Sequence, residues 1–385
     1  MTDRIGVAMV GCGYIADSYR TCFPLHQNCL RLVGVFDRDP ERLAAFVSCW
    51  KERAYGSLEY LLADPAVQLV INATDPENHA SVTRAALEAG KHVYSEKPLA
   101  MSRSEATALR DLAAEKRLRL AASPCNILGE NVQTLWAAAR AGKIGAPRLV
   151  YAELDDGMIH KADYRHWFSR SGRAWPARGE FEVGCTYEHA GYALSVLCAL
   201  FGPVRRVTAF AALLIADKQT DPPLPHPAPD FSLGLLEFDG GVLARVTNSI
   251  VAPYDHRLRV VGDKGALEIR ELWDYASPVV FRPTSQGRLA RLLERRFGGI
   301  GTATRLPMAR KPALRRKHGG PTMDFARGPA ELATAVLEGR PSRLDADFAV
   351  HIAEVTEMLQ YPGRFDRPAT VESNFSPIAP MEWAR

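Results

Sequence analysis

The sequence predicts a doubly wound α/β domain in its first half and a separate sheet-forming region in its second half. Apolar strands alternate with helices over residues 5–123, which is typical of a parallel sheet covered by helices. Further strands follow over residues 204–282, and glycine-containing hairpin turns join two pairs of them. With 385 residues, 47% of them hydrophobic and 24% charged, the chain is long enough for two cores.

Bulk composition excludes several classes of protein. A net charge of +4 is too small to indicate nucleic-acid binding, and no apolar run approaches the roughly 18 residues of a membrane helix. The first strand begins so early that no room is left for a cleaved signal peptide, so a cytoplasmic protein is expected. Seven cysteines without Cys-x-x-Cys or zinc spacing indicate reduced thiols and no metal site.

A nucleotide-binding turn is predicted at the first strand, Ile5–Val10. The strand runs into Gly-Cys-Gly-Tyr-Ile-Ala, which fits the pattern G-x-G-x-x-A. Gly11 would make the tight turn and Gly13 would let the backbone approach a pyrophosphate. Tyr14 and Ile15 would open a helix whose free N–H groups favour phosphate.

The second apolar run, Leu30–Phe36, ends in an acid about twenty residues beyond the glycines. Asp37 at this place can hydrogen-bond the adenosine ribose diol and repel a 2′-phosphate, which favours NAD over NADP. Arg38 follows directly and could stack on adenine or tolerate that phosphate. NADP therefore stays the less favoured alternative.

Polar residues at the carboxyl ends of later strands are expected to lie at the ligand-binding edge of the sheet. The residues assigned to cofactor contacts there are Thr74, Asp75, Asn78, His79 and Asn126. An equally weighted interpretation of the first of these segments is a helix start, with Asp75 as the cap and Pro76 at the first helical position.

Patterning predicts the remaining elements. The predicted strands are 67–72, 92–95, 118–123, 148–155, 204–215, 231–238, 242–250, 258–261, 266–269 and 279–282. The predicted helices are 57–63, 79–88, 103–115, 193–201, 329–338 and 345–360. Residues 157–184 are expected to form a long irregular segment, and the proline-rich stretch 221–230 a loop.

The run Ala-Gly-Lys-His-Val-Tyr-Ser-Glu-Lys-Pro-Leu-Ala at 89–100, together with the glycine turn, resembles the Gfo/Idh/MocA family (glucose–fructose oxidoreductase, inositol dehydrogenase and rhizopine catabolism). The resemblance implies an α/β N-terminal Rossmann domain, 1–126. It also implies an α+β substrate-binding and oligomerisation domain, 127–385, with a large, mostly antiparallel open sheet and C-terminal helices packing back toward the first domain.

The same resemblance implies roles at the cleft between the domains. Lys97 matches the family lysine that contacts substrate and nicotinamide, with Glu96 beside it in the cofactor site. The alternative is an ordinary surface lysine at the start of a loop. The exposed face of the C-terminal sheet is what the family uses to form dimers and tetramers, so a homodimer or homotetramer is expected.

The family also carries an aspartate and, four residues later, a histidine on a helix of the second domain. Alignment back from Phe201 places Glu188 at the aspartate and Tyr192 at the histidine, and this exchange also occurs in the glucose–fructose oxidoreductase branch. Residues four apart share a helix face, so both can point into the cleft, whereas His189 is turned by about 100°. His189 stays a second catalytic candidate.

The irregular segment 157–184 contains Trp167 and Trp175, which are predicted to contact substrate or else to pack under the loop. Acids near the expected cleft would suit an aminated sugar. These acids are Asp155, Asp156, Glu180, Glu182 and Glu188. The strongly basic stretch 284–318 is interpreted first as a solvated insertion, and second as a site for a phosphate-bearing substrate or a partner subunit.

The expected activity is an NAD-dependent interconversion of a ring hydroxyl and a ketone in a sugar, amino sugar such as an aminoglycoside, or cyclitol. Lys97, with a pKa lowered by desolvation and by a cationic nicotinamide, or Tyr192 would take the proton, and Glu188 would orient one of them. Two alternatives remain. One is an enzyme that retains its cofactor and performs redox-neutral sugar chemistry or glycoside cleavage. The other is a non-catalytic sensor that binds nucleotide and sugar.

Overall fold

The protein is described by a computed structural model that covers residues 4–284, 303–314 and 323–385, with positions 287, 288, 292 and 296 between the first two ranges. Two sheets organise these residues, and the cleft between them contains the candidate site. About half of the basic stretch 284–318 lies outside the described residues.

The first sheet is parallel, with the strand order β2-β1-β3-β4-β5. Its strands are β1 (Ile5–Val10), β2 (Leu30–Phe36), β3 (Leu69–Asn72), β4 (His92–Ser95) and β5 (Leu120–Ala122). The accompanying helices are α1 (Tyr14–Cys22), α2 (Pro40–Trp50), α3 (Leu58–Ala63), α4 (His79–Glu88) and α5 (Arg103–Glu115). Because its helices cover the sheet, β1 and β3 are completely buried.

Side-chain caps set several helix starts in this domain. Asp39 accepts hydrogen bonds from the N–H groups of Glu41 and Arg42 and thereby opens α2. Ser57 and Ser102 cap α3 and α5 in the same way. Each cap satisfies N–H groups that have no partner within the helix.

The second sheet has the order β13-β12-β11-β10-β6-β9-β8-β7-β14, and only its β6–β9 pair is parallel within the described residues. Its strands are β6 (Pro147–Asp155), β7 (Val204–Ala212), β8 (Phe231–Phe238), β9 (Leu243–Ser249), β10 (Leu258–Gly262), β11 (Gly265–Ile269), β12 (Val279–Pro283), β13 (Thr304–Arg305) and β14 (Ala369–Thr370). Helices α6 (Glu130–Arg140), α7 (Ala177–Val183) and α8 (Cys185–Phe201) belong to this half.

Two C-terminal helices return to the first sheet. They are α9 (Arg327–Leu337) and α10 (Ala346–Gln360). The N–H of Ala122 donates to the carbonyl of Leu344, 3.3 Å away, and α10 also packs against α5 and α8. These contacts hold the two sheets on either side of one cleft.

The predicted fold class is confirmed, and the differences are local. Strands 67–72, 118–123 and 204–215 are shorter than predicted, and the helix predicted at 193–201 begins at Cys185. The prediction that segment 157–184 is irregular is wrong for the part that forms α7. Helices α2 and α6 were not predicted. The domain boundary after Asn126 stays a proposal.

The contact between α9 and β4 depends on a glycine. A Cβ added at Gly328 would overlap the buried ring of Tyr94. We expect Gly328→Ala to lower the free energy of unfolding by about 1–3 kcal/mol, because the core has no room to expand. Urea denaturation measures this; Gly179→Ala, where a Cβ meets no atom within 4 Å, is the control. Equal stability of the two variants would contradict the close packing.

Candidate active site

The glycine turn has the form of a phosphate site. Gly11 has φ +99°, and a Cβ there would overlap the carbonyl of Ala73. Gly13 lies directly before α1 with open space above it and offers no side-chain cap. The first-turn N–H groups of Tyr14 and Ile15 therefore lack an intrahelical partner, so the turn fits a dinucleotide pyrophosphate.

Asp37 lies at the end of β2 and fixes this turn. One carboxylate oxygen accepts the N–H of Cys12 at 2.7 Å, and the other accepts the N–H of Asp39 at 2.8 Å. Arg38 forms a 4.0 Å ion pair with Asp75, in which both side chains are largely exposed. An exposed pair of this kind contributes little stability, but it brings together the two loops expected to flank adenosine.

The interpretation of this segment as a helix start is confirmed for the positions of Asp75 and Pro76, but not for the side-chain contact of Asp75. Pro76 does open a short 3₁₀ turn, Pro76–Asn78, but the Asp75 side chain makes no capping hydrogen bond. It faces Arg38 instead. Asn78 precedes α4 without capping it either, so the side chains of both residues are not committed to the helix start.

His79 links the two loops at the cofactor edge. Its ring nitrogens lie 2.6 Å from the carbonyl of Pro98 and 2.9 Å from the carbonyl of Thr74. Burial lowers the pKa of His79, which favours the neutral ring. The Thr74 hydroxyl donates to Asn72 at 2.7 Å. The neutral ring donates to one of these two carbonyls, and a direct contact of His79 with a cofactor stays a prediction.

Lys97 follows β4 and is held at its backbone by Glu96. One Glu96 oxygen accepts the Lys97 N–H at 3.0 Å, and the other accepts the Tyr19 hydroxyl at 2.5 Å. The Lys97 ammonium forms an ion pair with Glu188 of α8, and the two side chains are 16% and 7% exposed. This pair joins the two domains across the cleft.

The charge balance around Lys97 favours its protonated state. Burial acts to lower the pKa of Lys97, but electrostatic interactions, above all with the Glu188 carboxylate, outweigh it and raise that pKa. The expected lowering included the charge of a bound nicotinamide, so it stays a prediction for the complex with the cofactor. Lys97 is a cationic hydrogen-bond donor here.

Tyr192 lies one turn beyond Glu188, as predicted. Burial raises the pKa of its phenol, although Lys97 acts to lower it, so the neutral phenol is favoured. Its ring centroid is 4.8 Å from that of Trp273. Asn126 is buried: its amide donates to the Tyr192 carbonyl at 2.8 Å, and its oxygen accepts the Ser195 hydroxyl at 3.0 Å. Asn126 thus positions α8, and its ligand contact stays a prediction.

The two tryptophans of segment 157–184 pack together. Their ring centroids are 5.3 Å apart, and Trp175 also contacts Tyr164 and Phe181. These rings lie in a small apolar cluster beneath the loop. The arrangement favours the packing interpretation, and substrate contacts of Trp167 and Trp175 stay a prediction.

The predicted acids divide into two groups. Glu180 lies close enough to Glu188, Lys97 and Asp156 to interact electrostatically with each, and burial beside Glu188 raises the pKa of Glu180. Glu182 instead pairs with Arg178 at 3.0 Å on the surface.

Asp155 lies apart from the Lys97 cluster. Burial, with the charges of Glu153 and Asp255 as further causes, raises its pKa to about 7. Of the predicted acids, Glu180 and Glu188 lie beside Lys97, and Asp156 interacts with Glu180.

A polar network that the sequence did not reveal begins at His189. Its Nε2 lies 2.8 Å from Asp156, whose other oxygen lies 2.6 Å from Nε2 of His256. The Nδ1 of His256 lies 3.2 Å from Glu271. Burial acts against protonation, but the hydrogen bonds to both carboxylates raise the pKa of His256 to about 9.

A hairpin at 168–174 fastens the second domain onto α1 and α2. The Ser171 hydroxyl and N–H donate to Asp17 at 2.7 and 3.1 Å. Arg170 stacks 4.3 Å from the centroid of Trp50. Arg173, close to the tip, contributes to lowering the pKa of Asp39 and therefore lies near the end of β2.

The site combines a glycine turn that suits pyrophosphate with an acid where the ribose is expected. It also contains a cluster of lysine, carboxylate and tyrosine. This combination defines an oxidoreductase that uses a nicotinamide dinucleotide. The chain belongs to the Gfo/Idh/MocA family. The description "Oxidoreductase family, NAD-binding Rossmann fold" matches residues 5–123, and "GFO/IDH/MocA C-terminal domain" matches residues 132–268. The expected family and cofactor class are thereby confirmed.

Individual relatives are distant. Mouse trans-1,2-dihydrobenzene-1,2-diol dehydrogenase is 26% identical over 71% of this chain and 76% of its own length. UDP-N-acetylglucosamine 3-dehydrogenase of Acidithiobacillus ferrooxidans is 36% identical over 32% of this chain and 37% of its own length.

Solved structures share the fold. The WlbA dehydrogenase of Bordetella pertussis, in complex with NADH and UDP-GlcNAcA, has a TM-score of 0.70 at 18% identity, covering 94% of this chain and 97% of that one. In the described part of the chain, no helix is both long and apolar enough to cross a membrane.

The His256 network predicts a pH dependence of stability. The folded-state pKa of about 9 exceeds the ordinary 6.5, so the contribution is complete below pH 6.5 and is lost as pH rises toward 9. We expect His256→Gln to remove on the order of 3 kcal/mol of this pH-dependent difference. Urea denaturation at pH 6 and pH 9 measures it, with exposed His226→Gln as the control. An unchanged pH dependence in His256→Gln would contradict the charged state of His256.

Proposed function

We propose that the protein is an NAD(P)-dependent oxidoreductase that interconverts a ring hydroxyl and a ketone of a sugar, amino sugar or cyclitol. The observation that carries the proposal is the cluster of Lys97, Glu188 and Tyr192 beside the carboxyl edge of the dinucleotide sheet. NAD is the preferred cofactor, since Asp37 occupies the ribose position.

The polar lining of the cleft supports an oxygen-rich substrate, and an amino sugar such as an aminoglycoside ring fits best. Burial beside Glu188 raises the pKa of Glu180, and an ammonium group placed between these two carboxylates would offset their mutual repulsion. The curated relatives point the same way, because they are named for a nucleotide-linked amino sugar and for a ring diol.

In the oxidation direction, a nicotinamide held at this edge would supply the hydride acceptor, and the protein must remove the hydroxyl proton. Lys97 donates a hydrogen bond to the substrate oxygen and stabilises the negative charge that develops there. Because Lys97 is hydrogen-bonded to Glu188, it can pass one proton to that carboxylate while it takes the substrate's proton. Tyr192, a neutral phenol next to this pair, is the other group able to donate to the same oxygen.

The role of Lys97 is tested with Lys97→Met, which keeps the length of the side chain and removes the charge. We expect turnover to fall about 10²- to 10⁴-fold, as is typical for an acid–base group. The measurement is NADH absorbance with NAD or NADP and a panel of sugars, amino sugars, cyclitols and nucleotide sugars. Exposed Lys116→Met is the control. Near wild-type rates in Lys97→Met would overturn the assignment.

A second candidate, redox-neutral chemistry on a retained cofactor, is favoured by the hairpin 168–174. Its contacts with Asp17 and Trp50 join the domains next to the glycine turn, which would slow cofactor exchange. No comparable observation favours the sensor.

Retention is tested by loosening this hairpin. We expect Arg170→Ala/Ser171→Ala to speed NADH dissociation about 30-fold, because a hydrogen bond and a cation–π contact are each worth about 1 kcal/mol. Stopped-flow NADH fluorescence measures the rate, with Arg178→Ala as the control. An unchanged rate, together with wild-type protein that releases no nucleotide on denaturation, would exclude retention by the hairpin.

We further propose a cytoplasmic homodimer or homotetramer that associates through the outer face of the nine-stranded sheet. Leu235 and Leu243 are about half exposed on β8 and β9, and Phe210 is exposed on β7. Burial of such side chains between subunits is the expected driving force.

A further inference from the structure

Two buried polar atoms next to Tyr192 lack a hydrogen-bond partner among the described residues: Nδ1 of His189 and Nε1 of Trp273. The ring of Trp273 lies between the two neighbours, with centroids 4.8 Å from Tyr192 and 5.7 Å from His189. Buried polar groups are normally hydrogen-bonded, and an unmade bond costs about 1–3 kcal/mol. A ligand that satisfied both atoms would recover this cost.

The His189 ring is oriented by Asp156. The carboxylate accepts from Nε2 at 2.8 Å, and in the tautomer with its proton on Nε2 the Nδ1 atom presents a lone pair. His256 and Glu271 hold the other side of Asp156, so its position is fixed by charged hydrogen bonds.

The indole of Trp273 is also held in place. Its backbone N–H donates to Glu271 at 3.0 Å, and its ring packs on that of His256 with centroids 4.2 Å apart. Asn131 donates to the carbonyls of Leu272 and Asp274, on either side of Trp273. The indole N–H is therefore a rigid donor next to a rigid acceptor.

We propose that His189 Nδ1 and Trp273 Nε1 form a subsite for one hydroxyl group of the substrate, close to the carbon that reacts beside Tyr192. The hydroxyl donates to Nδ1 and accepts from the indole. An ammonium group needs acceptors only and a carboxylate needs donors only, whereas a hydroxyl uses both. The inference rests on the proposed function and deepens it; Asp156 is a positioning residue for His189.

The subsite is tested with Trp273→Phe and His189→Phe, which keep an aromatic ring and remove the polar atom. The probes are glucose, glucosamine, myo-inositol and UDP-N-acetylglucosamine, together with monodeoxy derivatives of each one that wild-type enzyme turns over. We expect KM to rise about 3- to 10-fold with kcat changed much less, as for a lost uniform binding contact. Trp383→Phe in the C-terminal turn is the control.

The deoxy derivatives locate the hydroxyl. For the derivative that lacks the bound group, KM should be raised in the wild type and not raised further by Trp273→Phe. An unchanged KM in both variants, or equal effects on every derivative, would overturn the subsite while leaving the proposed function intact. Wild-type protein that binds NADH and neither binds nor turns over any probe would overturn both.

The positioning role of Asp156 has its own readout. With ¹⁵N-labelled imidazole, wild-type protein should give an unprotonated Nδ1 signal for His189, assigned by its loss in His189→Phe. Asp156→Asn should shift the proton toward Nδ1 and weaken binding of the same probe. An unchanged tautomer in Asp156→Asn would show that Asp156 does not orient the ring.

Discussion

The buried ion pair between Lys97 and Glu188 is the interaction on which the site depends. One charge follows a strand of the first domain, and the other lies on a helix of the second. Each charge has lost most of its contact with water, so removal of either partner would leave an uncompensated charge in the cleft. The pair therefore requires both domains in one relative position.

Other polar contacts support that position. Glu96 fixes the backbone of Lys97, and Asn126 fixes the backbone of α8 at Tyr192. Farther from the cleft, the guanidinium of Arg327 on α9 forms two hydrogen bonds with Glu130 on α6, at 2.8 and 3.0 Å. A geometry held to this extent suits hydride transfer, which needs the reacting atoms within a few tenths of an ångström of contact.

The cleft combines an end that suits the cofactor with an end that suits the substrate. The glycine turn and Lys97 occur in the segment that matches the family, where the cofactor sets the requirements. His189, Asp156 and Trp273 lie where the substrate is expected, and their combination of acceptor, charge and donor is suited to oxygen-rich rings. This division explains how one scaffold can support different sugar specificities.

The sequence by itself determined the Rossmann half, the glycine turn and the position of Lys97 at the end of a strand. Residues that are close together in the sequence encode each of these features. They are glycines at fixed spacing, an acid after the next strand, and a continuous motif around the lysine. The four-residue spacing of Glu188 and Tyr192 also predicted that both side chains face the cleft, because residues four apart lie on one face of a helix.

Only the tertiary structure decided the direction of the Lys97 pKa and the composition of the His189 network. That pKa depends on how far burial is offset by carboxylates brought from another domain. The network joins residues from the end of β6, from α8, from the approach to β10 and from the loop after β11. Their proximity follows from strand order and register, which no periodic pattern in a single sequence specifies.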